Sequence, residues 1–95
     1  MAKIIAAFQI LPNGVDDLYR CVDTAIKVVQ SSGLPYDVSS FETTLEGDYD
    51  QIMEVIERAQ DACFRYGADS LICNIKIANY PSGITIDDHI GKYRI

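Results

Sequence analysis

The sequence predicts an α+β fold whose elements follow the order strand, helix, strand, strand, helix, strand. Alternating or continuous apolar stretches stand at the beginning, middle and end of the 95-residue chain, as strands require. Two longer stretches repeat apolar residues every three or four positions, as amphipathic helices do. The two halves also echo each other, since the apolar stripe and closing glycine of 18–33 recur in 52–67.

The first half predicts a buried strand followed by a helix. Lys3–Leu11 is apolar on both faces of an extended chain, and the turn-forming Pro12-Asn13-Gly14 ends it. Val15–Gln30 follows as the helix, with Asp17 placed favourably at its positive end. Gly33 is the expected left-handed cap after this helix.

The second half predicts two short strands, a helix, a long strand and a tail. The expected elements are strands over Tyr36–Ser39 and Phe41–Glu46, a helix from a cap at Asp48 to Tyr66, a strand over Leu71–Ala78, and a tail over Ile84–Ile95 that forms a short strand or arm. Gln51 completes a capping-box pattern with Asp48. Because βαββαβ chains pack two helices on one face of an antiparallel sheet, we expect a ferredoxin-like sandwich in one domain, 1–95.

Composition disfavours several classes of partner. The net charge is −6 and the eight Lys and Arg residues are scattered, which argues against nucleic acid. The three cysteines form no C-x-x-C pair, and His89 has no ligand-like spacing to another His or Cys, so no metal site is expected. Without a leader-like start or a membrane-length apolar run, we expect a cytoplasmic protein with reduced core thiols and no membrane contact.

A sheet with helices on one face leaves the other face open. In a monomer of the predicted fold, Ile5, Ala7 and Ile72 would be exposed there. An apolar patch on a small domain usually marks an interface. We therefore expect a homo-oligomer: a dimer stacked sheet against sheet, extended to a tetramer by pairing at sheet edges.

The segment 41–50 is the most informative in the chain because it places polar side chains on a strand. Glu42 and Glu46 supply carboxylates, while Thr43 and Thr44 supply hydroxyls. Such groups suit a small ligand that carries positive charge and hydrogen-bond donors. Asn74, in an otherwise apolar strand, also needs hydrogen-bond partners.

Several motifs together resemble a known family, the small thiamine-binding proteins of ferredoxin-like fold. The matching stretches are Gln9–Pro12, Ser32–Tyr36, Glu42–Asp50, Ile75–Ile77, Gly83–Asp87 and Lys92–Arg94. The resemblance implies a homotetramer that binds thiamine or its hydroxymethylpyrimidine half and has no established catalytic activity. It implies no cofactor, since thiamine is the bound ligand.

The chemistry of thiamine fits the polar residues of this pattern. A buried cation must be paired, so Glu46 or Glu42 would balance the thiazolium. Thr43, Thr44, Asn74 and Gln9 would meet the pyrimidine, and Tyr36 or Phe8 would stack on a ring. Strand alternation nevertheless directs Thr43 towards the helices and Glu42, Thr44 and Glu46 to the open face. The site therefore lies at a strand end near Gly47, or a subunit interface completes it.

Two other functional classes stay open at this point. One is a structural or regulatory homo-oligomer whose open-face residues only build an interface. The other is an enzyme acting on a thiamine precursor, with the Glu residues as acid and base. The sequence contains no nucleophile elbow and no glycine-rich phosphate loop, which favours binding without catalysis.

Overall fold

A four-stranded antiparallel sheet carries two long helices on one face, which confirms the predicted ferredoxin-like α+β sandwich. The structure is a computed structural model and describes residues 3–90. Its elements are β1 (Ile4–Asn13), α1 (Leu18–Gln30), β2 (Tyr36–Val38), β3 (Thr43–Gly47), α2 (Tyr49–Tyr66), β4 (Ser70–Ala78) and α3 (Ile86–Ile90). The strand order is β2-β3-β1-β4. None of the helices within the described residues is long and apolar enough to cross a membrane.

Some element boundaries differ from those predicted. Helix α1 begins at Leu18 rather than Val15, because Asp17 has extended backbone and accepts the Arg20 N–H at 3.1 Å, as an N-cap does. Strand β3 begins at Thr43, and Phe41 lies outside it with 81% of its surface exposed. Gly33 has a φ of +82°, the left-handed conformation expected after α1.

The main core lies between the sheet and the two long helices. Leu45 of β3, Val29 of α1 and Ile52 of α2 meet there and have no exposed surface. These positions are those that the helical and strand periodicities predict. Burial of an aliphatic side chain contributes about 1.5–3 kcal/mol, so this layer supplies most of the apolar stabilisation.

Two cysteine thiols meet where α1 packs on α2. The Cys63 thiol donates to the Cys21 carbonyl at 3.6 Å, and the Cys21 thiol donates to the Cys63 carbonyl at 3.9 Å. Burial and the neighbouring Cys21 thiol raise the pKa of Cys63 from 9.0 to about 11. The prediction of core thiols is confirmed for both residues, whereas Cys73 is only half-buried.

The chain after β4 returns to the other face of the sheet. Ile84 and Ile86 pack on Ile5, and each of these three side chains is less than 9% exposed. The expectation that Ile5 is exposed is therefore wrong, because the chain covers it from within; Ile72 remains 57% exposed. The expected strand or arm over 84–95 contains helix α3 instead, and the part of that range after Ile90 lies outside the described residues.

Candidate functional site

A cavity of about 310 Å³ lies on the open face of the sheet. We call it the open-face cavity. Its lining consists of Ile5, Ala7, Asp37, Glu42, Thr44, Lys76, Ile77, Ala78, Ile86 and His89. Small-ligand sites usually occupy about 300–1,000 Å³ and combine apolar walls with a few polar groups, so its size and its mixed lining suit such a ligand.

One row of paired residues crosses the sheet beneath this cavity. Asp37 pairs with Thr44, Thr44 with Ala7, and Ala7 with Lys76. Side chains paired across strands stand on the same face, so this row presents a carboxylate, a hydroxyl, a methyl and an ammonium group in line.

An ion pair bridges the cavity. Lys76 Nζ lies 3.1 Å from Glu42 Oε1, and the two side chains are 76% and 31% exposed. They come from opposite sides of β1 and meet near Ala7, whose methyl group leaves room for them. Both partners of this ion pair belong to the same chain. With Asp37 beside this pair, carboxylates outnumber the ammonium group in the lining.

Glu46 lies one row further along β3 and contacts the chain itself. Its Oε1 accepts the backbone N–H of Ile86, the first residue of α3, at 2.8 Å, and the side chain is 9% exposed. Glu46 is not part of the cavity lining. It fixes the segment that supplies Ile86 and His89 to one side of the cavity.

Gln9 and Asn74 form the next row in the other direction. Asn74 Nδ2 donates to Gln9 Oε1 at 3.3 Å, so each amide supplies the other with one of its partners. Neither residue lines the open-face cavity. Exposed Leu11 and Ile72 are paired beyond them, which places this amide pair between the cavity and an apolar patch.

A second cavity, of about 280 Å³, lies between α1, β1 and the segment that joins β2 to β3. We call it the helix-side cavity; Phe8–Leu11, one side of α1 from Leu18 to Ile26, and the segment Val38–Thr43 enclose it. Thr43 faces the helices, as strand alternation predicts, and is 7% exposed. Tyr36 lies on β2, is 43% exposed and lines neither cavity.

The candidate residues are therefore distributed over two faces. The structure brings Glu42 and Thr44 together in the open-face cavity, whereas Thr43 lines the helix-side cavity, which Glu42 also borders. Sequence reasoning missed Asp37, although its position between Tyr36 and Val38 would have placed it opposite Thr44 in a paired strand. It gave His89 no binding role, because that position depends on the chain folding back after β4.

The described part of the chain contains no group of three or more His, Cys, Asp or Glu residues arranged to hold a metal ion. The lining of the open-face cavity offers charge pairing, hydrogen bonds and an apolar floor.

Comparisons with known proteins agree with this fold. A UPF0045 protein of Clostridium perfringens is 38% identical over 89 residues, which cover 93% of this chain and 94% of that protein. A Bacillus cereus structure of domain of unknown function DUF77 superimposes with a TM-score of 0.94 at 45% identity, covering 98% of this chain and 91% of that one.

A Thermotoga maritima structure is described as that of a candidate thiamine biosynthesis/salvage protein. It superimposes with a TM-score of 0.87 at 29% identity and covers 97% of this chain and 99% of that one. The family described as thiamine-binding protein matches residues 6–94. Since this match spans nearly the whole chain, the protein belongs to the thiamine-binding protein family.

Proposed function

We propose that this protein binds thiamine or its hydroxymethylpyrimidine half in the open-face cavity, without catalysis, and so sequesters or senses the vitamin in the cytoplasm. The observation that carries the proposal is that Asp37, Thr44 and Lys76 lie in one row across the sheet and line the open-face cavity together with Glu42, above an apolar floor. The match to the thiamine-binding family and the description of the Thermotoga maritima relative support the choice of ligand.

The charge of the cavity suits the thiazolium ring. Thiamine is permanently cationic, and a cation that leaves water needs an opposite charge close by. Glu42 and Asp37 supply two carboxylates against the one ammonium group of Lys76. Glu42 is the better candidate for the counter-charge, because it lines the cavity, whereas Glu46 does not and accepts the Ile86 N–H.

The remaining groups suit the uncharged half of the ligand. Thr44 offers a hydroxyl that both donates and accepts, as an aminopyrimidine edge requires. Ile5, Ala7 and Ala78 form a floor against which a flat ring can pack. Excess negative charge in the lining disfavours the phosphate esters of thiamine.

We propose further that the protein is a homo-oligomer, a tetramer built from dimers. The exposed apolar side chains of Leu11 and Ile72 lie on the open face beside Gln9 and Asn74. Packing a second copy there would bury this patch and cover Gln9 and Asn74, which lie between it and the ligand site.

Isothermal titration with thiamine, hydroxymethylpyrimidine and thiamine pyrophosphate tests the ligand. We expect saturable micromolar binding of thiamine, and an affinity at least tenfold lower for Glu42→Gln, since charge-assisted contacts contribute about 1.5–3 kcal/mol. Glu57→Gln, on the exposed side of α2, is the matched control and should bind as the wild type does. Absence of heat and of thermal shift with all three compounds would refute the proposal.

Light scattering tests the assembly. The wild type should elute with the mass of four chains, and Ile72→Glu should reduce that mass, because it places a charge in the buried patch. A wild-type mass of one chain at all concentrations would contradict the oligomer.

A further inference from the structure

The only histidine of the chain lies at the open-face cavity. His89 belongs to α3 and is exposed as well as part of the cavity lining, so it stands at the rim, where its ring exchanges protons with water. Histidine is the side chain whose charge changes between about pH 5 and 8. The charge around this cavity therefore depends on pH within that range.

Local and distant contacts keep His89 at this place. Its backbone N–H donates to the Thr85 carbonyl at 3.2 Å, which closes the turn of α3. The Ile86 N–H donates to Glu46 of β3 at 2.8 Å, and the Ile86 side chain packs on Ile5 of β1. Because α3 is attached to the sheet in this way, the imidazole stays beside the cavity in both of its protonation states.

Charged groups from three other parts of the chain share the cavity lining with His89. They are Asp37 of β2, Glu42 just before β3, and Lys76 of β4. Strand β1 contributes only uncharged side chains to the lining. Glu46 and Asp88 each accept a backbone N–H of the α3 segment, Asp87 is exposed, and none of these three carboxylates lines the cavity.

The protonation of His89 decides the net charge of this lining. With a neutral imidazole, the two carboxylates exceed the single ammonium group by one negative charge. A protonated imidazole cancels that excess, since the described lining then holds two charges of each sign. A cation that leaves water needs an opposite charge close by, so the cavity holds a cation best while His89 is neutral.

The size of the cavity places a bound cation close to the imidazole. A sphere of about 310 Å³ is roughly as wide as the Debye length at physiological salt, about 8 Å, so dissolved ions screen the repulsion only in part. Because His89 is exposed, water weakens the repulsion further. We therefore expect an effect of a few-fold on affinity rather than of several orders of magnitude.

We propose that His89 makes cation binding in the open-face cavity dependent on pH: its neutral imidazole admits the cationic ligand, and its protonated form opposes it. This inference rests on the proposed thiamine function and adds a means of regulating that site. Binding of the cation would be accompanied by release of a proton from His89. By linkage, the affinity is then highest near pH 8 and falls as the pH is lowered to 6.

Isothermal titration of the wild type with thiamine at pH 8 and pH 6 tests the inference. An imidazole in water is about three-quarters protonated at pH 6, so we expect an affinity at least threefold lower there than at pH 8. Titrations at pH 6 in two buffers of different ionisation enthalpy count the protons released per ligand. We expect about half a proton or more from the wild type, because the ligand displaces the protonated form.

Three variants assign the effect to His89. His89→Gln should bring the ratio of the two affinities close to one and abolish the proton release at pH 6. His89→Lys places a permanent positive charge at the rim, so at pH 8 it should bind thiamine at least threefold more weakly than His89→Gln does. Adding Glu57→His to His89→Gln returns an imidazole to the exposed side of α2, away from the cavity, and should not restore the pH dependence.

Hydroxymethylpyrimidine is the control ligand because it carries no permanent charge. Its affinity for the wild type should be nearly the same at pH 6 and pH 8. An equal pH ratio for the two ligands would overturn the inference, because the effect would then come from the shape of the cavity and not from its charge.

The results also separate this inference from the proposed function. The role of His89 is wrong if the wild type binds thiamine equally well at both pH values, or if His89→Gln keeps the wild-type ratio. Saturable thiamine binding at pH 8 would in either case leave the proposed function intact. Absence of binding by both compounds at both pH values would refute the proposed function and this inference with it.

Discussion

The two faces of the sheet differ in what holds them together, although the same strands supply both. The helix-covered face is continuous apolar packing in which Leu45 has no exposed surface. The open face has a small cluster around Ile5 and a largely exposed ion pair between Lys76 and Glu42. Since side chains alternate along a strand, β3 serves stability with every second residue and offers polar groups with the others. Function can therefore change on one face without loss of the core.

The largest effect should come from the helix-covered face. Leu45→Ala should lower the free energy of unfolding by about 2–5 kcal/mol, because it leaves a cavity where no neighbour can relax freely. Thr44→Ala, the next residue on the opposite face, should cost less than about 1 kcal/mol. Urea denaturation measures both values. Equal losses in the free energy of unfolding for the two variants would contradict the inference that the helix-covered face contributes most of the stability.

High pH should lower the free energy of unfolding by less than Leu45→Ala does, through a thiol buried on the helix-covered face. Burial raises the pKa of the Cys63 thiol from 9.0 in the unfolded chain to about 11. Its contribution to stability is complete below pH 9 and is lost as the pH rises to 11, because the unfolded state releases its proton first. We expect the free energy of unfolding to fall by on the order of 2 kcal/mol over that range.

Cys63→Ala is the control for this pH dependence. The variant lacks the thiol, so its unfolding free energy, measured with urea at each pH, should decline less between pH 9 and 11. A decline as steep as that of the wild type would assign the effect to other groups.

The segment that covers Ile5 provides the third test. Glu46→Ala should lower the free energy of unfolding by about 1–3 kcal/mol or release α3 locally, because it leaves the shielded Ile86 N–H without an acceptor. Hydrogen exchange of the Ile86 amide should accelerate. Glu46→Gln retains an oxygen acceptor and should exchange nearer to the wild-type rate; unchanged exchange in Glu46→Ala would contradict the role of this contact.

The smallest stability effect should come from the ion pair. Lys76→Met should change the free energy of unfolding by less than about 1 kcal/mol, since exposed pairs contribute little. It should nevertheless strengthen thiamine binding several-fold at low salt, because the ammonium group no longer competes for Glu42. Titrations at 20 mM and 500 mM NaCl, with Lys27→Met on α1 as control, measure this. Identical affinities in the two variants would show that Lys76 does not compete.

The sequence was sufficient to predict those features that depend on local periodicity. The apolar stripes predicted both long helices, and the alternation of β3 placed Thr43 and Thr44 on opposite faces, as the structure has them. The predicted start of α1, Val15, was three residues too early. Val15 continues the apolar pattern of the helix, but the N-cap Asp17 determines that the helix begins at Leu18.

Features that depend on distant contacts were not predictable in the same way. Helix α3 has a local signal at its start. Thr85 Oγ1 accepts the Asp88 backbone N–H at 3.0 Å, and Asp88 Oδ2 accepts the Thr85 backbone N–H at 3.3 Å. Its position on Ile5 follows from apolar contacts between the two ends of the chain, which no local pattern specifies. For the same reason the composition of the open-face cavity, with Asp37 and His89 in its lining, required the structure.

The hydrogen bond between Glu46 and Ile86 also has a consequence for synthesis of the chain. It joins residues 40 positions apart, and one of them is in the last described helix. During translation both long helices and β3 leave the ribosome before Ile86 does. A nascent chain can therefore begin to form its core while the open-face cavity still lacks a wall, so the site is completed only after Ile86 has emerged.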